Sequence, residues 1–136
     1  MSKKQEPTTG ELGVLDEDGV KRHLKAWLDA QGLGPVTVAW GHARGVDITA
    51  KHRDGRRWLI EVKGPGSRPE MRVNYFLAIL GEALQRMDDP SAAYSIAFPD
   101  LPQFRGLWDR LPGLAKERTG ITALFVTASG SVSQPA

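Results

Sequence analysis

Asp47, Glu61 and Lys63 supply two carboxylates and an ammonium, with a strand-like segment between the first and the other two. Carboxylate oxygens are hard donors that suit magnesium or manganese, ions that keep part of their water shell for a substrate phosphate. The main-chain carbonyl of Val62 is a candidate third donor. Lys63 follows Glu61 by two residues and so shares its strand face. An ammonium there orients or deprotonates a water, or stabilises the charge that grows on phosphorus during displacement. Hydrolysis of a phosphodiester needs an activated water, an electrophilic metal ion and a nearby cation. This trio fits that requirement if it converges in space.

Convergence is decided by the elements on either side. Residues 44–51 and 56–63 read as two strands around a turn containing Asp54 and Gly55. A two-residue turn sets Asp47 against Val62 and mixes apolar with charged side chains on both faces. A three-residue Arg53-Asp54-Gly55 loop, with Gly55 in the left-handed conformation, sets Asp47 against Glu61 instead. Val46, Ile48, Ala50, Trp58, Ile60 and Val62 then share one apolar face, and Asp47, Thr49, Lys51, Arg57, Leu59, Glu61 and Lys63 share the other. Burial selects the second register. Opposed like charges repel, and a divalent cation between them removes the repulsion.

Upstream, Val20, Leu24, Trp27 and Leu28 recur at helical spacing, with Asp16 placed to cap that helix and Gly32 and Gly34 to stop it. Val36, Val38 and Trp40 alternate as a short strand. Downstream, the spacing predicts a helix over 73–87 with Val73, Phe76, Leu77, Leu80, Leu84 and Met87 on one face, closed by Pro90. A strand over 92–98, a helix carrying Phe104, Leu107, Trp108 and Leu111 that Pro112 ends or kinks, and a strand over 121–128 complete the order. The expected fold is α/β (α+β): an αβββαβ core whose central mixed β-sheet is flanked by helices, with an added C-terminal helix and strand. Residues 1–13 and 129–136 lack periodicity and read as flexible tails around a single domain over 14–128.

Gly45-Val46-Asp47, then Glu61-Val62-Lys63-Gly64 at the end of a strand, followed by an amphipathic helix and another strand, resembles the PD-(D/E)XK nuclease superfamily. Restriction endonuclease-like and Mrr-like proteins and archaeal Holliday-junction resolvases belong to it. The resemblance spans residues 16–98, and Val46 stands in place of the eponymous proline, as in many members. It implies magnesium- or manganese-dependent hydrolysis of DNA, with Asp47 and Glu61 as metal ligands and Lys63 as the catalytic lysine. Glu17, on the helical line of Leu24 and Leu28, resembles the acidic residue that members draw from the first helix as an auxiliary ligand; beside Asp16 and Asp18 it also reads as a first-turn acid favoured by the helix dipole. Gln85 matches polar residues that members place near the active site, and equally reads as part of a solvated face beside Glu82 and Arg86. Many relatives pair as two-fold dimers, which makes a homodimer an implied partner.

Lys and Arg total 18 against 16 Asp and Glu, a net charge of +2. The segment 42–72 holds eight cations and four anions, a net of +4, so the rest of the chain carries −2. Arg68 and Arg72 follow a Gly64-Pro65-Gly66 turn and precede a helix, where cations and free amides hold phosphates. With Arg44, Lys51 and Asn74 they are candidate DNA contacts; charge-rich hairpins are also commonly just solvated. The chain has no cysteine, which excludes disulfides, thiolate zinc sites and cysteine nucleophiles. His23, His42 and His52 lack metal-ligand spacing, and Gly64-Pro65-Gly66-Ser67 lacks the lysine of a phosphate-binding loop. Trp27, Trp40, Trp58 and Trp108 fall on or beside apolar faces and are expected in the core. Apolar runs are far short of a membrane span and no signal-peptide core is present, so the cytoplasm is the expected location. Two functions remain: a metal-dependent nuclease acting on double-stranded or branched DNA, or the same fold kept as an inactive nucleic-acid-binding or oligomerisation module.

Overall fold

In the computed structural model, which describes residues 15–135, the chain runs α1 (Glu17–Ala30), β1 (Thr37–Val38), β2 (Ile48–Lys51), β3 (Arg57–Val62), α2 (Arg72–Gln85), β4 (Ala93–Pro99), α3 (Pro102–Arg110), α4 (Gly113–Thr119), β5 (Ile121–Val126) and β6 (Val132–Ser133), with a 3-10 turn over Pro69–Met71. The expected tail over 1–13 lies outside the described residues. The six strands form one mixed sheet in sequence order. β1, β2 and β3 are an antiparallel meander, β3, β4 and β5 are parallel, and β6 returns antiparallel to β5. The mixed sheet flanked by helices is that of a restriction-endonuclease-like fold.

The hairpin register follows from burial. Ile48 pairs with Ile60, Ala50 with Trp58 and Lys51 with Arg57, which leaves Arg53, Asp54 and Gly55 as the loop. Gly55 has φ 92°, a conformation costly for any side chain with a Cβ. Ile48, Ala50, Trp58, Ile60 and Val62 face α1, where Val20, Leu24 and Leu28 close the first core layer. Asp16 caps α1 by accepting from Gly19 N at 2.8 Å. Leu59, Phe76, Ile79, Phe98, Phe104 and Phe125 form the second layer, between the other sheet face and α2 and α3.

Several details depart from the sequence expectation. Val46 packs against the second layer rather than sharing the Ile48 face, because the chain ahead of β2 turns at Gly45 (φ 102°) and enters the strand only at Ile48. On α2 the buried side is Phe76, Ile79 and Ala83, while Val73, Leu77 and Leu84 are exposed. Polar anchors at both ends fix that rotation: Arg72 Nε donates to Pro65 O at 3.1 Å, and Glu82 and Arg86 turn toward β3. Trp58 and Trp108 are in the core, but Trp40 is 42 % exposed. Pro112, which lacks an amide proton, separates two C-terminal helices where one was expected. Residues 129–135, read as a tail, carry β6, whose Ser133 pairs with Phe125.

Candidate active site

Strand alternation sends Leu59, Glu61 and Lys63 to the α2 side of the sheet, and the register brings Asp47 beside the end of β3. Asp47 Oδ2 accepts from Val62 N at 2.8 Å, which locks the aspartate onto β3. A cleft of about 440 Å³ opens there, lined by Glu17, Asp47, Glu61 and Lys63, with Arg44 and His42 at its rim. From the C-terminal cap of α2, Arg86 Nε lies 3.3 Å from Glu61 Oε2, and from α2 itself Glu82 Oε2 lies 3.4 Å from Lys63 Nζ. The Lys63 ammonium also sits 5.6 Å from the Tyr75 ring centroid. Gly64 allows α1 to start against this strand end: a Cβ there would meet Glu17 N at 2.8 Å.

Burial pushes the Glu61 carboxyl up to about 7, and the neighbouring Asp47 charge adds to that push against the opposing effect of Arg86. Burial also raises Glu17, with Lys21 pulling the other way. Lys21 was not singled out from the sequence, yet it is fully buried and contacts Asp47 Oδ1 at 3.4 Å and Glu17 Oε2 at 3.2 Å. Its signal was available: it lies four residues after Glu17 and three before Leu24, inside the apolar stripe of α1.

Two of the solved structures that share this fold are similar over most of the chain. One is the crystal structure of an XisH family protein from Nostoc punctiforme, 20 % identical, covering 86 % of this chain and 98 % of that one with a TM-score of 0.57. The other is an FdxN element excision controlling factor protein from Anabaena variabilis, 19 % identical, covering 86 % and 97 % with a TM-score of 0.55. At that identity the likeness is one of fold. No family model and no curated protein matches the chain.

Asp47, Glu61, Val62, Lys63, Glu17 and Arg44 therefore meet at one cleft, while the other candidates do not line it. Gln85 is exposed on α2, and its neighbours Glu82 and Arg86 face the cleft instead. Asn74 and Arg68 are exposed outside it. Arg72 is buried, with Nη1 donating to Gln103 Oε1 at 3.0 Å, so it ties the Pro65 turn to α3. Lys51 stands opposite Arg57 at the loop end of the hairpin, about 13 Å along β2 from Asp47. Arg53 is held by Gln31 and Arg56 by Asp54. Among the described residues no three His, Cys, Asp or Glu side chains form a ready metal cluster. The donor set is thus two carboxylates plus main chain. It fits a hard divalent cation because Glu61 is buried beside a second acid, so burial and the Asp47 charge both disfavour its ionised form and a cation between the two would offset that cost. Among the described residues no helix is long and apolar enough to cross a membrane.

Proposed function

We propose that the chain is a divalent-metal-dependent nuclease of the PD-(D/E)XK type that hydrolyses DNA phosphodiester bonds at the Asp47–Glu61–Lys63 cleft. The observation that carries this reading is the meeting of Asp47, Glu61 and Lys63 in one open cleft, with Glu61 buried beside a second carboxylate. Asp47, Glu61 and the Val62 carbonyl are the groups that would hold magnesium or manganese, which when bound activates water and polarises the phosphate. Lys63 points its ammonium into the same space, held between Glu82 and the Tyr75 ring, and there stabilises charge on the phosphoryl oxygens or holds a proton of the attacking water. Arg44, exposed at the rim, attracts the DNA backbone. Two-fold pairing of chains would let such a cleft reach both strands.

A second reading, a non-catalytic nucleic-acid-binding or oligomerisation module, is favoured by one specific observation. Glu61 and Lys63 each already pair with a residue of α2 or of its C-terminal cap. The two readings separate in a cleavage panel of linear, nicked, single-stranded and branched DNA with magnesium, manganese or EDTA. The nuclease reading expects cutting only with metal, and at least a ~100-fold loss in Asp47→Ala, Glu61→Ala and Lys63→Ala variants whose circular dichroism matches the parent. Salt-sensitive binding without any cutting would leave the module.

A further inference from the structure

The Glu17 side of Asp47 already holds a cation. Lys21 Nζ lies 2.6 Å from Ala39 O, 3.2 Å from Glu17 Oε2, 3.4 Å from Asp47 Oδ1 and 3.8 Å from Asp18 Oδ1. These acceptors come from α1, from the chain after β1 and from the approach to β2. The lysine is fully buried, so its ammonium depends on them in place of water. Asp18 Oδ1 also accepts from Gly41 N at 3.2 Å, which anchors the loop that carries His42 and Arg44 to the same cluster.

On the Glu61 side the arrangement differs. The cations there are Arg86 and Lys63, whose side chains are 36 % and 22 % exposed and reach Glu61 and Glu82 only at 3.3 and 3.4 Å. Long side chains that open to water can swing aside when a stronger cation arrives. Lys21 has no such exit, because its side chain is wholly enclosed.

Two-metal sites place their ions about 3.5–4 Å apart around a shared carboxylate. A second ion touching both Glu17 and Asp47 would need the position that Lys21 Nζ occupies, and a dication beside a buried ammonium is repelled. We propose that Lys21 is a built-in cation that takes one of the two cation positions beside Asp47, so that the cleft binds a single divalent ion on the Glu61 side and Glu17 serves Lys21 rather than the metal. This rests on the reading of the cleft as a divalent-cation site. Lys21 is accordingly a positioning residue: it fixes Asp47 and sets the number of metal ions.

The test is calorimetric titration of the whole chain with manganese, with free ion counted by electron paramagnetic resonance. One manganese per chain is expected, and Glu17→Gln should change the dissociation constant less than about fivefold, below the ~10-fold or more expected on losing even an outer partner of a ligand. Folded Lys21→Gln should bind a second manganese, since three acids lose their ammonium. Should that variant fail to fold, the parent stoichiometry and Glu17→Gln decide alone. Two manganese ions on the parent chain, a loss of fivefold or more in Glu17→Gln, or a single ion on folded Lys21→Gln would overturn the inference and leave the metal-site reading standing. No manganese binding to the parent chain would overturn both.

Discussion

Glu61 carries the sharpest electrostatic consequence of a single residue. Its carboxyl titrates near 4.5 in the unfolded chain and at about 7 in the folded one, so the folded state holds the proton more tightly across that window. The stabilising contribution is complete below about pH 4.5 and is lost as pH rises through 7, because the buried group must then ionise beside Asp47. At about 1.4 kcal/mol per unit the whole effect is on the order of 3 kcal/mol. Urea midpoints of the metal-free protein should therefore fall between pH 5 and 8, and Glu61→Gln should flatten that part of the profile; identical profiles for the two proteins would refute the assignment. The period of a strand makes Asp47, Glu61 and Lys63 legible as neighbours in the sequence. Lys21 escaped notice because a helical stripe is read by its apolar members, and a lysine among them is taken as noise. Arg86 and Glu82 escaped because the rotation of α2 is a tertiary property.

At the scale of elements, that rotation is the clearest case where periodicity was right and orientation was not. Both apolar lines of α2 exist in the sequence, one through Phe76, Ile79 and Ala83 and one through Val73, Leu77 and Leu84, and only the first meets the sheet. Phe76→Ala should cost about 3–5 kcal/mol in chemical unfolding, as expected for a large buried ring. Leu77→Ala, at a 60 % exposed position, should stay within about 0.5 kcal/mol; equal costs would mean that the leucine line is the buried one. The junction of α1 with β3 makes a second claim. Gly64→Ala forces a β-carbon against the backbone nitrogen of Glu17 and should destabilise the protein by about 1–3 kcal/mol while weakening manganese binding through a displaced α1. Unchanged melting and binding would show that the two elements are not in close contact.

For the whole molecule, the order of elements and the hairpin register were readable because burial penalises every alternative, whereas the C-terminal end of the sheet was not. β1 shows in the alternation of Val36, Val38 and Trp40, but β6 is only two residues long, too short to announce itself that way. β6 is held by its pairing with β5, by Arg105 Nη2 donating to Ser133 Oγ at 2.7 Å, and by Gly130, where an added Cβ would meet His23 Nδ1 at 2.9 Å. It covers part of β5, whose Ala123, Leu124, Phe125 and Val126 are buried. Uncovering that strand leaves an apolar ladder with open amides and carbonyls, the kind of edge that recruits other chains. Truncation after Ala128 should therefore give oligomers or precipitate in light scattering where the full chain does not; a truncated chain that stays as dispersed as the parent would contradict this. The stretch that looks most disposable on paper thus acts as a guard against self-adhesion, and affinity handles are better fused at the opposite terminus.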